Sequence, residues 1–288
     1  ELNDIVVGII GGTGIYQMDS LSDVKEIDID TPFGKPSAPI ITGKLSDIGV
    51  AFIPRHGRGH IYSPSEIPAL ANIYALKTIG VRKILSISAV GSLKEEIKPL
   101  DLVIPDQIID RTIYRTSTFF GNGVVAHVGM ANPFCPEMSA VLKYSSENVG
   151  ATVHLGGTYV VMEGPQFSTK AESELYRSWG ADVIGMTAMP EAKLAREAEI
   201  CYCVLACATD YDCWLDSETP VTVDMVVNNL RKNVALSKSI LSVVVPHMAK
   251  VSNCVCGSAL ENSIITDPGM IPDEARMKLS LFLDKYLH

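Results

Sequence analysis

The chain reads as an α/β protein built around a mainly central sheet, and three observations lead there. Short apolar runs alternate with segments of helical periodicity along the whole length. Those runs are nearly continuous rather than alternating, which suits strands buried on both faces. Hydrophobic residues make up 47% of the 288 residues against 20% charged, enough to fill a large core. No Pro/Gly/Ser-rich or charge-rich linker divides the chain, so a single domain over 1–288 is expected, with a helical C-terminal tail from about residue 252.

In chain order, strands are expected at 5–10, 50–54, 83–88, 102–109, 158–163, 182–186 and 201–209. Helices fill the intervals. Over 66–80, Leu70, Ile73, Tyr74 and Leu76 recur at near-helical spacing and Gly80 supplies a stop. The segment 170–179 ends before Gly180, and 190–198 opens on Pro190, which suits a first helical turn. A long helix is expected over 223–250 with a break near Pro246. An amphipathic one follows over 273–287, with Met277, Leu281, Phe282 and Tyr286 near one face.

The net charge of −9 argues against nucleic acid or an anionic membrane as the main partner, since both select basic surfaces. No apolar run reaches the ~18–20 residues of a membrane span. The opening ELNDIVVGII carries no basic stretch before its apolar run, so a cytoplasmic protein without a signal peptide is expected. Of seven cysteines, Cys201, Cys203, Cys207 and Cys213 fall in or beside one apolar run and read as small packing residues. Cys254 and Cys256 stand in a polar stretch expected to be exposed. Thiols are the default there, with a strained disulfide or a soft metal left open.

Six short motifs carry the chemistry. Gly11-Gly12-Thr13-Gly14 follows the first strand, where glycines let a backbone nest approach an anion and Thr13 adds a hydroxyl. A dinucleotide fingerprint fits poorly, because position 17 is Gln, although Asp28 or Asp30 offers an acidic ribose partner. Arg55-His56-Gly57-Arg58-Gly59-His60 follows a strand ending at Pro54; Arg suits forked contact with phosphate, and an exposed basic loop is the plain alternative. A metal held by His56 and His60 is not expected, since no third ligand stands nearby. Thr209-Asp210-Tyr211-Asp212 sets two carboxylates directly after an apolar strand, where burying charge is costly. A solvated turn is the plain reading; otherwise a partly buried Asp210 with a raised pKa suits a general acid or a hydrogen-bond partner.

In this order GIIGGTGIY (8–16), PRHGRGH (54–60), SAVGSL (88–93), EGPQFSTKAES (163–173), GMTAMPEA (185–192) and ATDYDCW (208–214) resemble the trimeric nucleoside phosphorylases, and within them the 5′-methylthioadenosine phosphorylases. The resemblance runs from about Val6 to about Val227. It implies a mixed, partly barrel-like sheet flanked by helices. It implies a purine nucleoside and inorganic phosphate as substrates, no metal or organic cofactor, and a homotrimer or dimer of trimers whose interface contributes to the 5′ pocket. Carried over residue by residue, it implies a phosphate cradle of Thr13, Arg55, His56, Ser88, Ala89 (through its backbone) and Thr187. The base would meet Phe167, Ser168, Asp210 and Asp212, with Met186 under the ribose and His127, Val223 and Val226 by the 5′ substituent. Family members commonly have Thr where Ser88 stands and Arg where Gln166 stands. Asn near Asp212 marks relatives that take 6-oxopurines, so Asp there points to adenine. A purine nucleoside phosphorylase acting on inosine, guanosine, adenosine or methylthioinosine is the alternative.

Overall fold

The computed structural model describes residues 5–12, 14, 15, 17–215, 223–252 and 254–287, without the side chains of 223–226. Thr13 and the side chains of Val223 and Val226 therefore lie outside the described residues.

Four apolar runs make the centre of the sheet. β1 (Ile5–Gly11), β4 (Ile48–Pro54), β5 (Lys83–Ser92) and β11 (Cys201–Asp210) lie parallel in the order β4, β1, β5, β11. Every residue of β11 is buried, as its unbroken apolar sequence predicts. β2 (Ser22–Ile27) and β3 (Ile40–Leu45) extend the far edge by antiparallel pairing. On the other side are β6 (Leu102–Ile104), β7 (Gln107–Asp110), β8 (Val153–Leu155), β9 (Thr158–Val161) and β10 (Val183–Gly185).

The sheet forks at β5. Its first half pairs with β1 and β11, while at Gly91 and Ser92 it pairs with β10 instead of β1. From there β10 pairs β9, β9 pairs β7, β7 leads back through Pro105 to β6, and β6 pairs β11. This loop of strands is the barrel-like part of a mixed sheet. One strand expected over 102–109 is thus two. Pro105 has no N–H to continue the ladder, and opposite it Gly156 and Gly157 take φ of 88° and 109°, so the strand pair turns a corner.

Helices cover both faces. α1 (Ala69–Thr78) and α4 (Ala188–Glu197) pack on one face, and α2 (Pro136–Asn148) and α5 (Val223–Ala249) on the other, each with its own apolar cluster. α3 (Lys170–Ser178) starts on a capping box in which Thr169 and Glu172 each accept from the other's backbone N–H. The expected break at Pro246 does not occur. α5 runs on to Ala249, because the proline falls in the last turn, where few backbone bonds remain to be lost. The expected helix over 273–287 is two pieces, α6 (Asp273–Lys278) and α7 (Ser280–Leu283). Met277 points to solvent while Leu279, Phe282 and Leu283 enter the core. Cys256 is buried and Cys254 half-buried, so the stretch expected to be exposed packs inward at that point.

Candidate active site

Because β1, β4, β5 and β11 are parallel, their C-terminal ends share one edge, the place where open α/β sheets hold ligands. Arg55 N–H donates to the Gly11 carbonyl at 3.0 Å, which brings the glycine turn and the Arg55 loop together. Beside them the fork places the end of β5 with Ser88 and Ala89, the end of β10 with Met186 and Thr187, and Asp210 at the end of β11.

Arg55 is 2% exposed, and most of its donors are spent inside the protein. Its Nε and one Nη donate to Glu191 at 2.6 and 3.1 Å, and further N–H groups reach Ser86 Oγ at 2.6 Å and the Ile87 carbonyl at 3.0 Å. Glu191 also accepts from Ser86 Oγ and from the Tyr202 hydroxyl, each at 2.9 Å. Burial works against the Arg55 charge, but the adjoining Glu191 carboxylate holds its pKa above the ordinary value. Among the described residues, one of the five guanidinium N–H groups is left over.

Next to this pair, Ser88 Oγ, Thr187 Oγ1 and the Tyr159 hydroxyl are buried and have no hydrogen-bond partner among the described residues. Ser88 and Thr187 both adjoin the Tyr159 hydroxyl. Gly185 makes room for it, since a Cβ there would collide with that oxygen. Three buried hydroxyls that adjoin one another, with no well-aligned partner among the described residues, mark a site shaped for a polar guest. His56 borders it with Nδ1 2.8 Å from the Tyr62 carbonyl and its ring stacked on His60 at 4.1 Å. Burial, and then the Arg55 charge, lowers its pKa to about 4. His56 is therefore neutral at pH 7, with its proton on Nδ1 because a carbonyl can only accept, and Nε2 carries a lone pair.

Two carboxylates close the other side. Asp210 is 9% exposed and accepts from Thr209 Oγ1 at 2.7 Å and from Asp212 N–H at 2.8 Å. Burial raises its pKa despite those bonds. Burial, and further the Asp210 charge, raises that of Asp212 too, although hydroxyls from Ser173 and Ser168 oppose the rise. Asp212 Oδ2 is buried without a hydrogen-bond partner that meets geometric limits among the described residues. Gly91 lets both approach β5: a Cβ there would lie 3.2 Å from Asp210 Oδ1 and 3.3 Å from Asp212 Cβ. From α5, Asn229 Nδ2 donates to the Thr209 carbonyl at 2.7 Å, which sets the first turns of that helix beside the pair.

The loop after β9 is held by charge. Glu163 accepts from Ser65 Oγ, from the N–H groups of Ile113 and Tyr114, and from Arg115 Nε at 3.2 Å. Burial opposes its ionisation, but these donors bring its pKa down to about 2. Arg115 in turn donates to the carbonyls of Met162, Glu163, Met186 and Met189. One guanidinium thus binds the Phe167 loop to the Met186-Thr187 turn. Ser168 joins the carboxylate loop through its carbonyl, which accepts from Cys213 Sγ at 3.3 Å. Phe167 itself is 56% exposed, an aromatic face open at the rim.

The family model of the phosphorylase superfamily matches residues 6–246. This chain belongs to the phosphorylase superfamily. It is 54% identical over 283 residues to the S-methyl-5′-thioadenosine phosphorylase of Geobacter sulfurreducens, covering 98% of this chain and 99% of that one. To the protein of the same name from Koribacter versatilis it is 54% identical over 280 residues, covering 97% and 96%. Among solved structures it resembles a methylthioadenosine phosphorylase from an antarctic soil metagenomic library, with TM-score 0.94, 48% identity and coverage of 98% and 99%. It also resembles the methylthioadenosine phosphorylase of Schistosoma mansoni in complex with adenine, with TM-score 0.82, 37% identity and coverage of 86% and 93%.

Within this phosphorylase, then, Arg55, His56, Ser88, Ala89 and Thr187 gather at the fork, and Ser168, Asp210 and Asp212 line its other side. His127 does not join them. It is exposed, on a segment whose backbone pairs with 263–265, and no described contact links it to the fork. Sequence reasoning missed Glu191, Tyr159, Glu163 and Arg115 as parts of the site. Two of them stood inside motifs already singled out: an acid at Glu191 within an otherwise apolar stretch, and Glu163 at a strand end, were available signals. Arg115 and Tyr159 had no local signal, since their roles depend on elements distant in sequence.

Proposed function

We propose that this phosphorylase cleaves the N-glycosidic bond of S-methyl-5′-thioadenosine with inorganic phosphate, giving adenine and 5-methylthioribose 1-phosphate. Similarity over nearly the full length to proteins of that activity supports the reaction. Within the chain, the observation that carries it is a carboxylate pair, Asp210 buried and Asp212 half-buried, at the same sheet edge as a cluster of buried hydroxyls. The C1′–N9 bond breaks with its electrons passing to the purine, and a phosphate oxygen forms the new bond to C1′. Phosphate negative charge beside an electron-poor C1′ favours the transition state.

Each group has a role in that scheme. Ser88 and Thr187 donate to phosphate, the free N–H of Arg55 adds charge, and Thr13 and the Ala89 backbone complete the cradle. His56 Nε2 accepts from the protonated oxygen of monobasic phosphate. Asp210, whose pKa burial raises above the ordinary carboxylate value, is the acid that gives a proton to N7. Thr209 Oγ1 lies 3.2 Å from the Val90 carbonyl and 2.7 Å from Asp210 Oδ2, so its single proton turns to Asp210 as that carboxyl becomes charged. Asp212 Oδ2 accepts from the 6-amino group, which favours adenine over a 6-oxopurine. Phe167 stacks on the base, Ser168 lines it and Met186 lies under the ribose.

Val223 and Val226 supply an apolar wall for the methylthio group, because a buried hydroxyl without a partner would be penalised there. His127 reaches this pocket from a neighbouring copy in a homotrimer or dimer of trimers. Its exposure and distance in contacts from its own fork support that reading. A cytoplasmic setting is proposed on the family resemblance; among the described residues no helix is long and apolar enough to cross a membrane. The test is adenine release from methylthioadenosine with and without phosphate, beside adenosine and inosine. Full turnover without phosphate, or a preference for inosine, would overturn the assignment.

A further inference from the structure

Away from the active site, four cysteines converge. The Sγ atoms of Cys135, Cys201, Cys254 and Cys256 all lie within 4.8 Å of one another, and those of Cys201 and Cys254 are 3.0 Å apart. We propose that these four residues form a tetrathiolate zinc site that fastens the C-terminal segment to the sheet.

Each sulfur lies within 4.8 Å of the other three, close enough for one cation to touch all four. With Zn–S bonds of about 2.3 Å, the edges of such a tetrahedron are about 3.8 Å, so small movements of side chains suffice. Thiolates select soft, tetrahedral cations, and four protein ligands leave no open coordination position, the mark of a structural site. The ligands come from three separately anchored places. Cys135 is the residue before α2 and its N–H donates to the Tyr202 carbonyl at 2.8 Å. Cys201 begins β11, and Cys254 and Cys256 flank the start of a short 3-10 turn.

The surroundings suit an anionic centre. Zinc with four thiolates carries a net charge of −2. Arg196 lies with one Nη 3.9 Å from Cys256 Sγ while its other Nη holds the Asn132 carbonyl. The N-terminus of the 13-residue α2 faces Cys135 and favours negative charge. Glu137 Oε2, 3.4 Å from Cys135 Sγ, accepts from the thiol and is half-buried, and it must give up that contact when the thiolate binds metal.

The site would sit at the start of β11, nine residues and about 30 Å of strand from Asp210, so it would not take part in turnover. Its role is to secure the chain beyond α5. Past the cysteines, Lys285 Nζ bonds the Gly257 carbonyl and Glu199, and residues 263–266 hold the His127 segment through Ser263 O and Thr266 Oγ1.

The experiment is metal analysis of the purified full-length protein, followed by mercurial titration with a zinc-sensitive dye. About one zinc per chain is expected, released in step with modification of these thiols, with a fall in Tm on strong chelation that added zinc reverses. Cys254→Ser and Cys256→Ser should each cut bound zinc at least about tenfold. The wild-type titration keeps the test valid if either variant fails to fold. Hydrogens missing from the intact mass under nonreducing, denaturing conditions would mean disulfides and overturn the proposal. So would four alkylatable thiols with no metal after incubation with zinc, or iron in place of zinc. No readout depends on phosphorolysis, so failure of the zinc site and failure of the proposed reaction are distinguishable.

Discussion

Replacing Glu191 by Gln tests whether the cradle depends on one buried ion pair. Arg55 and Glu191 have side chains only 3% and 4% exposed and meet through two guanidinium nitrogens at 2.6 and 3.1 Å. Removing one partner of such a pair leaves an uncompensated buried charge, at a cost of about 3–5 kcal/mol. Gln keeps one acceptor for the fork and nearly the same volume, so the lower end, about 3 kcal/mol, is expected. At about 2–4 °C per kcal/mol for a chain of this size class, Tm should fall by about 6–12 °C. Differential scanning calorimetry at fixed protein concentration measures it. The loosened guanidinium should also raise the phosphate KM by roughly ten- to a hundred-fold, from loss of a charge-assisted contact. A paired Arg55→Leu, Glu191→Leu variant should recover much of the lost stability, since no charge is left buried, while phosphate binding stays weak. A single variant melting within about 1 °C of wild type, or a double variant no more stable than the single, would refute the reasoning.

Asp210→Asn should lower kcat by ~10²–10⁴-fold by removing the proton donor. It should also melt higher than wild type at neutral pH. Burial raises the folded pKa of Asp210, so the ionised carboxylate costs stability as pH rises through that value, and the gap closes below the ordinary value of 3.8, where both states hold the proton. Equal rates, or a gap that widens in acid, would contradict this. Asp212→Asn should narrow the preference for 6-amino over 6-oxo nucleosides, read as the ratio of kcat/KM for adenosine and inosine; an unchanged ratio would remove Asp212 from base selection. His56 should titrate near 4 by NMR in phosphate-free protein and higher with phosphate bound. Because its folded pKa is depressed, its contribution to stability is present above 6.5 and is lost as pH falls from there towards 4.

The central strands were legible because burial on both faces leaves one kind of sequence. β1, β4, β5 and β11 are apolar almost without interruption, and the ends of β1, β4 and β11 fell close to where the apolar runs stop, whereas β5, expected to end at Ser88, runs on to Ser92. β2 was invisible for the opposite reason: Ser22–Ile27 is an exposed edge strand whose side chains are mostly polar, so nothing in its pattern separates it from a loop. α2 escaped notice because polar residues interrupt its apolar stripe. The fork at β5 could not be read at all, since pairing partners are a long-range property. The candidate site divides similarly. Residues that follow an apolar strand directly, such as Arg55 and Asp210, announce themselves because charge there needs a reason. Arg115 does not, because its role is to gather four carbonyls from segments 47 to 74 residues away.

The distribution of satisfied and unsatisfied polar groups links fold to chemistry. The charged scaffold of Arg55, Glu191, Ser86 and Tyr202 is bonded throughout except at one Arg55 N–H, as suits a rigid buried network with one donor to spare. Beside it, Ser88, Thr187 and Tyr159, and across the sheet edge Asp212 Oδ2, lack a well-aligned partner among the described residues. At about 1–3 kcal/mol for each unpaired buried group, this arrangement opposes folding and favours a ligand that supplies the missing partners. Phosphate accepts from hydroxyls and the adenine 6-amino group donates to a carboxylate, so each substrate relieves a different part of the same cost. Phosphate and adenine should therefore raise Tm through separate groups. Ser88→Ala should reduce the phosphate-induced shift and leave the adenine-induced shift intact, and the reverse pattern should hold for Asp212→Asn. Loss of both shifts in either variant would mean that the two halves of the site form one cooperative unit rather than two adjoining ones.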